Sequence, residues 1–342
     1  MSRATAGDRQ LTAHNRPTVG GVFARNPRPI PEGATRWQAA AERAERCRAQ
    51  LRWWSVVGSL WTILLLAGCA DLPILQPAPT PTPTVQEQAA DLYEQGNLLF
   101  DQGEYDQAIV AYDQALALDP TNAHALNNRA LAHQARERFP EALADFQAAV
   151  TADPTYARAY KNRAALLERT GADPRQLAAD YGRLAELEPQ AAADHRYRQG
   201  VALHGQRDYT AARQAYDAAL AADPQHVDAL YERALLSIAE QNPADAVADL
   251  DRAIRLSPRA ANAYYARAVA RATSGDPRRA RDDLDEALRL RPGYPEALLA
   301  RADLALAAGD TAQTAADLDR LDALQIDDQL QAASAALRAR LP

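Results

Sequence analysis

The chain has 342 residues, of which 47% are hydrophobic, 24% are charged and only 6% are aromatic, and its 2 cysteines exclude a disulfide scaffold. Residues 1–69 hold 10 Arg against 4 acidic residues, whereas residues 70–342 hold 28 basic against 41 acidic residues. The acidic body argues against nucleic acid as a partner, because affinity for phosphates comes mostly from Lys and Arg. A cationic or peptide partner remains compatible with this charge.

An uncharged apolar run extends from Trp53 to Gly68, directly after Arg52. Its 16 residues are fewer than the roughly 20 that a helix needs to cross a bilayer, but they suit the core of a signal peptide. Residues 51–69 therefore predict either a signal peptide or a slightly short transmembrane anchor.

The end of this run favours the signal peptide. Leu66-Ala67-Gly68-Cys69 resembles the lipobox of bacterial lipoproteins. In that family the Cys thiol receives a diacylglyceryl group and becomes the first residue after cleavage. The resemblance implies lipidation of Cys69, and the alternative is a transmembrane anchor with an incidental cysteine.

Residues 1–50 are Arg-rich and dotted with Pro, and they are far longer than the charged start of a normal signal peptide. They predict either a disordered basic tail in the cytoplasm or a start of translation further along, near Leu51, Val56 or Val57. Both interpretations keep the Arg-rich side inside the cell. We therefore expect a membrane-anchored protein of the cell envelope whose acidic body is extracytoplasmic.

Residues 70–86 alternate Pro with Thr between Pro77 and Thr84, a composition that favours extended polyproline II and cannot build a core. We interpret this segment as a linker. At about 3.1 Å per residue it could hold the body up to roughly 50 Å from a lipid surface.

Beyond the linker, prolines recur every 34 or 35 residues, which indicates a repeat array. Shifting the chain by this step aligns residues 95–120 with residues 128–154 and 199–224. These segments resemble tetratricopeptide repeats (TPRs). The recurring prolines are Pro120, Pro154, Pro189, Pro224, Pro258 and Pro292, and the family positions in the first repeat are Leu92, Gly96, Leu99, Tyr105, Ala108, Tyr112, Ala115 and Pro120.

The residue pattern by itself also predicts helical hairpins. Apolar and Ala positions recur at helical spacing, Gly or Asn often closes the first helix and Pro ends the second. One hairpin cannot bury its apolar face alone, so neighbouring hairpins must stack. We expect an all-α fold without sheets over residues 87–342. The predicted repeats are 89–122, 123–156, 157–192, 193–226, 227–260, 261–294 and 295–328, with a capping helix at 329–340.

Five repeats carry Arg at their seventh position, and the same five carry Asp on the second helix. The other two repeats have neither, and they alone have Gly at the eighth position: Gln95 occurs with Ala111, and Gln199 with Ala215. We predict an ion pair between helices, within a repeat or across to its neighbour, against the alternative of separately solvated charges. The expected pairs are Arg129 with Asp145, Arg163 with Asp180, Arg233 with Asp249, Arg267 with Asp283, and Arg301 with Asp317.

The third repeat departs from the pattern. It carries an extra residue around Asp173 and Pro174, and another precedes the fourth repeat. Arg196 also occupies a position that is usually large and apolar. We expect the junction between these two repeats to be the loosest in the stack.

TPR arrays form a right-handed superhelix whose first helices line a concave groove for a partner peptide or helix. The resemblance therefore implies a groove lined by the fifth and ninth positions of the first helices. Four tyrosines at one register would suit a binding hot spot, and the alternative is that they only fill the face between helices. The fifth positions are Tyr93, Asn127, Lys161, Tyr197, Tyr231 and Tyr265, followed one turn later by Asn97, Leu131, Val201, Leu235 and Val269.

Donors near the third repeat resemble part of the carboxylate clamp of chaperone-binding TPR proteins. That clamp needs several Lys, Asn and Arg residues at particular places, and only some of them recur here. Ordinary polar lining of the groove is the stronger interpretation. The donors are Asn127, Asn128, Arg158, Lys161 and Asn162.

The sequence contains no pattern that indicates catalysis, a cofactor or a metal. Its 6 His residues include no pair spaced i, i+4, and no GxxxxGK[ST], GxSxG or HExxH motif occurs. We expect a non-enzymatic scaffold or adaptor, tethered by lipid to the outer side of a bacterial membrane, that binds a protein partner in its groove. The alternative is a transmembrane-anchored sensor or scaffold whose basic tail contacts a cytoplasmic partner.

Overall fold

The computed structural model of the protein describes residues 83–341. The expectations for residues 1–50, for residues 51–69 including Cys69 and for most of the linker concern residues outside that range. Pro81–Pro342 form a compact unit.

Residues 83–341 contain fifteen α-helices and no strand, which confirms the predicted all-α fold of helical hairpins. Seven hairpins follow one another, and a last helix packs on the seventh. The first helices are α1 (Val85–Asp101), α3 (Ala123–Ala135), α5 (Ala157–Thr170), α7 (Ala192–Gly205), α9 (Val227–Ala239), α11 (Ala261–Thr273) and α13 (Pro295–Ala307). The second helices are α2 (Tyr105–Leu118), α4 (Phe139–Ala152), α6 (Pro174–Leu187), α8 (Tyr209–Ala222), α10 (Pro243–Leu256), α12 (Pro277–Leu290) and α14 (Thr311–Asp322), and the last helix is α15 (Asp328–Arg338).

The first helix begins inside the segment predicted as linker. Thr84 accepts a hydrogen bond on Oγ1 from the backbone N–H of Glu87 (3.2 Å), and the Glu87 carboxylate accepts one from the N–H of Thr84 (2.8 Å). This reciprocal capping satisfies two backbone donors that the start of a helix leaves unpaired. Helix α1 therefore starts at Val85 instead of following a linker that ends at residue 86.

Small side chains allow the helices of each hairpin to cross closely. The twentieth and twenty-seventh positions of the first repeat are Ala108 and Ala115, and both are buried. Their equivalents in the second, fourth, fifth and sixth repeats are also buried alanines, whereas the third repeat has the half-buried Leu177 and the buried Leu184. In the seventh repeat these positions hold Thr314 and Leu321, where the Thr314 hydroxyl donates to the backbone oxygen of Asp310 (2.8 Å).

Glycine is required at the eighth position of the first and fourth repeats because a buried tyrosine ring lies directly on the helix there. A Cβ at Gly96 would come within 2.5 Å of the Tyr112 ring, and one at Gly200 within 2.4 Å of the Tyr216 ring. Such distances are far below van der Waals contact. The association of Gly with these two repeats therefore has a steric cause.

Each arginine at the seventh position bridges three helices. Arg129 donates from Nε and Nη2 to Asp145 of its own repeat (2.8 and 2.6 Å), and from Nη1 to Asp113 of the preceding repeat (2.6 Å). All five predicted pairs come together in this geometry. The remaining members are Arg163 with Asp180 and Gln147, Arg233 with Asp249 and Asp217, Arg267 with Asp283 and Asp251, and Arg301 with Asp317 and Asp285.

The sequence patterns did not lead us to the acceptor in the preceding repeat, although its position relative to the arginine is regular. It always lies 16 residues before the arginine. Before the fourth repeat, where Gln199 replaces the arginine, the equivalent residue is Gly182, which lies 17 residues earlier because of the extra residue that precedes this repeat. A Cβ at Gly182 would lie 2.8 Å from Gln199 Nε2, so the Gln199 amide lies directly against the backbone of Gly182.

The junction between the third and fourth repeats is closely packed, contrary to the expectation that it is the loosest. Glu188 pairs with Lys161 and with His195 (2.9 Å), and Arg198 donates to the Tyr181 hydroxyl (3.3 Å). The extra residues form a short 3-10 helix, Pro189–Ala191, and the turn after α5.

The buried apolar clusters on the two sides of this junction are separate. Ala164, Tyr181 and Leu184 form one cluster, and Tyr216 and Leu236 belong to another. The junction is therefore joined by polar side chains and a glycine rather than by a shared apolar core.

The two glycines of α7 provide a test of the packing. We expect Gly200→Ala to destabilise the protein by about 1 to 3 kcal/mol, because the added methyl group overpacks the Tyr216 ring. Gly205→Ala should be neutral or stabilise by up to about 1 kcal/mol, since nothing lies within 4 Å of its Cβ position and Ala favours helix. Urea denaturation measures both, and a similar effect of the two changes would contradict the assigned contact.

The arginine bridges provide a second test. Arg129→Gln leaves the Asp145 carboxylate, which is 10% exposed, without its main partner, and should cost about 3 kcal/mol in the free energy of unfolding. The double change Arg129→Gln with Asp145→Ala recreates the combination of the first and fourth repeats. It should cost clearly less than the single change, again by urea denaturation. Equal costs would mean that the stranded charge is not what destabilises the single variant.

Candidate functional site

The first helices of successive repeats form a continuous surface. Their fifth and ninth positions lie one helical turn apart and so share one side of each helix. Contacts from one repeat to the next hold these helices side by side, for example between Asn127 and Asn162 and between Tyr197 and His226, the residue that caps α9. We call this surface the first-helix face. It comprises Tyr93, Asn97, Asn127, Leu131, Lys161, Tyr197, Val201, Tyr231, Leu235, Tyr265, Val269, Leu299 and Asp303.

The four predicted tyrosines are half-buried on this face. The ring of Tyr93 lies 6.2 Å from that of Tyr112, and the ring of Tyr265 lies 5.1 Å from that of Tyr294. Burial raises the pKa of Tyr197 to about 12 and also raises the pKa values of Tyr231 and Tyr265. The rings therefore fill the space between helices and still leave part of their surface exposed.

Amide groups connect the first three repeats. Asn128 Nδ2 donates to Asn97 Oδ1 (2.8 Å) and to the Tyr93 hydroxyl (3.2 Å). Asn127 Nδ2 donates to Asn128 Oδ1 (3.0 Å), and Asn162 Nδ2 donates to Asn127 Oδ1 (2.8 Å). This network satisfies side chains that would otherwise be costly to bury.

Four of the five predicted carboxylate-binding donors, Asn127, Asn128, Lys161 and Asn162, are already engaged within the chain. Asn127 is 0% exposed, in contrast to its predicted place as a groove contact, because the first helices on both sides cover it. Lys161 is paired with Glu188, which lowers the pKa of that carboxyl group. Of this set, Arg158 and Lys161 are exposed. The arrangement corresponds to the ordinary polar lining of the groove, which is the interpretation that the sequence favoured.

The first-helix face is acidic from the fourth repeat onward. Asp194 contacts His226 (3.2 Å), and Glu232 is 3.8 Å from His204. Asp228 and Glu296 are exposed carboxylates on the same side. This feature was missed because the second and sixth positions were considered only as donors to a partner carboxylate, whereas three of these four carboxylates stand at the second position.

A concavity of about 470 Å³ opens at the C-terminal end of the face. Its lining includes the apolar residues Leu299, Leu330 and Leu337 and the carboxylates of Glu296 and Asp303. Asp303 is 3.3 Å from Arg340 of the same chain. The concavity adds an apolar surface bordered by negative charge.

Neither a metal-binding group of His, Cys, Asp and Glu nor a helix with the length and apolar character to cross a membrane occurs within residues 83–341. What the described side chains offer is a surface of tyrosines, aliphatic residues, amides and carboxylates. Such a surface can bind by apolar contact, hydrogen bonding and charge.

Comparisons with known proteins agree with the repeat architecture. A TPR repeat profile matches residues 96–136, and tetratricopeptide repeat profiles match residues 122–152, 162–227, 197–261, 231–275 and 265–329. Together these matches span well over half of the chain. No curated protein matches the chain significantly.

Several solved structures are similar. The C-terminal part of a TPR repeat-containing protein from Cytophaga hutchinsonii has a TM-score of 0.54 at 16% identity, over 70% of this chain and 98% of that one. YrrB, described as a TPR protein with an unusual peptide-binding site, has a TM-score of 0.42 at 25% identity, over 52% and 91%. The pilF protein of Pseudomonas aeruginosa has a TM-score of 0.37 at 19% identity, over 74% and 98%.

The profile matches, the stacked hairpins and the fold shared with the Cytophaga protein lead to one assignment. The chain belongs to the tetratricopeptide repeat family, whose fold suggests protein–protein interaction.

Proposed function

We propose that this protein is a non-enzymatic scaffold that binds a peptide or helix of a protein partner on its first-helix face. The observation that carries the proposal is the row of half-buried tyrosines on a surface that continues across the repeats. Tyrosine supplies a large and fairly rigid contact with a polar tip, which is the type enriched at binding hot spots.

Exposed aliphatic side chains on the same face support the proposal. Val201 is 44% exposed and lies one turn from Tyr197. Leu131, Leu235 and Val269 occupy equivalent positions in other repeats and are half-buried. A partner that covers these residues would remove apolar surface from water, at about 25 cal/mol per Å² of gross stabilisation.

We also propose that the protein is anchored at the outer side of a bacterial membrane through a lipid on Cys69. The lipobox-like end of the apolar run supports this, as does the change from a basic segment before it to an acidic body after it. A Pro/Thr segment between the anchor and the repeats suits a spacer.

Position-specific photocrosslinking in the native host tests the binding surface. Benzoylphenylalanine at Val201 should yield adducts with a partner, because this residue lies on the first-helix face. The same group at Val110, which is 55% exposed on α2, serves as the matched control and should yield none. Adducts that form equally from both positions, or from Val110 alone, would show that the partner binds elsewhere.

Metabolic labelling with a radioactive fatty acid tests the anchor. The wild-type chain should incorporate the label, and Cys69→Ala should abolish it and release the repeats from the membrane fraction. If the Cys69→Ala variant stays in the membrane fraction with no change in attachment, a transmembrane anchor is the better interpretation.

A further inference from the structure

The first and fourth repeats contain the same small site in two versions. Each has a fifth-position tyrosine, an eighth-position glycine and a buried tyrosine from the second helix, and is completed by the sixth position of the next first helix. We call these sites the first niche and the second niche. The first niche consists of Tyr93, Asn97, Tyr112 and Asn128, and the second of Tyr197, Val201, Tyr216 and Glu232.

The two niches have nearly the same geometry. The Tyr112 ring lies against Gly96 and the Tyr216 ring against Gly200, at almost equal distances from the ideal Cβ positions. The ring of Tyr93 is 6.2 Å from that of Tyr112, and the ring of Tyr197 is also 6.2 Å from that of Tyr216. The two buried hydroxyl groups therefore occupy equivalent places.

The first niche is closed by its own hydrogen bonds. The Tyr112 hydroxyl donates to Asn97 Oδ1 (2.8 Å), and Asn128 Nδ2 donates to the same oxygen (2.8 Å) and to the Tyr93 hydroxyl (3.2 Å). Every hydroxyl and amide oxygen at its centre has a partner inside the chain. The buried Tyr112 hydroxyl therefore has its partner inside the chain.

Within the part of the chain that the structure describes, two residue changes leave polar groups of the second niche without hydrogen-bond partners. Val201 replaces Asn97 and removes the acceptor, and among the described residues the buried Tyr216 hydroxyl has no hydrogen-bond partner. Glu232 replaces Asn128 and puts a carboxylate where the first niche has an amide donor. A buried polar group that is left unpaired loses its hydrogen bonds to water without gaining any in the protein, so this arrangement is costly.

Glu232 also lacks a close cation. Its side chain is 25% exposed, and the nearest basic atom is Nδ1 of His204 at 3.8 Å, which is longer than a hydrogen bond. Burial raises the pKa of the Glu232 carboxyl group, and the charge of Asp228 adds to this effect. A positive donor beside Glu232 would relieve both costs.

We propose that the second niche binds the cationic group of an arginine or lysine side chain from the partner seated on the first-helix face. The cation would donate to the Glu232 carboxylate and the Tyr216 hydroxyl and lie against the Tyr197 ring, a favourable arrangement of cation and aromatic face. Asp228 adds negative charge beside Tyr197 and Glu232. The inference rests on the proposed binding function and adds the chemistry of one contact.

The probe for the experiment is N-butylguanidinium chloride, which imitates an arginine side chain. The full chain carries ¹³C-labelled tyrosine, and the Tyr216 and Tyr112 ring signals are assigned with Tyr216→Phe and Tyr112→Phe variants. We expect a saturable shift of the Tyr216 signal in the millimolar range and none at Tyr112. Butylurea, the neutral analogue, is the control for charge and should bind at least tenfold more weakly. Sodium chloride at equal ionic strength is the control for salt and should shift the Tyr216 signal at least tenfold less.

Exchanging the two differing residues provides matched variants. Val201→Asn with Glu232→Asn copies the first niche into the fourth repeat and should abolish the Tyr216 response while the thermal midpoint is kept or raised. The reciprocal pair, Asn97→Val with Asn128→Glu, should transfer the response to Tyr112. If either double variant does not fold, Glu232→Gln alone should weaken the Tyr216 response at least tenfold.

Any of three results would overturn the proposal that the second niche binds a cation: equal shifts with butylurea, a Tyr216 response that survives the loss of Glu232, or no shift of the Tyr216 signal up to 100 mM probe. Photocrosslinking separates this inference from the proposed function. If Val201 yields adducts but the niche fails to bind the probe, the face binds its partner by other contacts. If Val201 yields none and Tyr216 still responds, the niche binds cations without serving such a partner.

Discussion

A helical hairpin of about 30 residues has apolar residues on more than one side and can bury only part of them between its own two helices. The rest must be covered by another hairpin, and this requirement governs the whole structure. It explains why alanine recurs at most of the crossing positions, where a small residue lets the two helices approach closely. It also explains why α15 follows the seventh hairpin: Leu337 and Ser334 are buried there, and Arg338 contacts Asp319 and Asp322 of α14.

The sequence predicted the repeats well because the requirements are local and recur. Proline follows six of the seven second helices, and alanine marks most of the crossings, so a period of 34 or 35 residues was visible without any knowledge of contacts. The start of α1 was less visible, because Thr84 and Glu87 form a cap that lies within a Pro/Thr-rich segment. The burial of Asn127 was not predictable from its register alone, since it depends on how closely the neighbouring first helices approach.

The arginine bridges show both the strength and the limit of pattern reasoning. The joint presence and absence of Arg and Asp identified the partners within a repeat, because a buried carboxylate requires a cation. The third contact, to Asp113 and its equivalents, required the geometry of stacking. For the same reason the junction at Gly182 was misjudged: the extra residues suggested a loose joint, whereas the absence of a side chain there allows Gln199 to approach closely.

The features that set the fourth repeat apart are connected. An arginine at the seventh position needs an acceptor in the preceding repeat, and Gly182 offers none, so glutamine occupies the position. Without the arginine, the Asp of the second helix would be a stranded charge, and Ala215 stands in its place.

The fourth repeat thereby shares the composition of the first, which has no described hairpin before it. Each begins a run of bridged repeats, and each contains a niche where Tyr packs on Gly. Because the first niche is closed by Asn97 and Asn128, the change to Val201 and Glu232 is not demanded by packing and is better explained by what the niche binds.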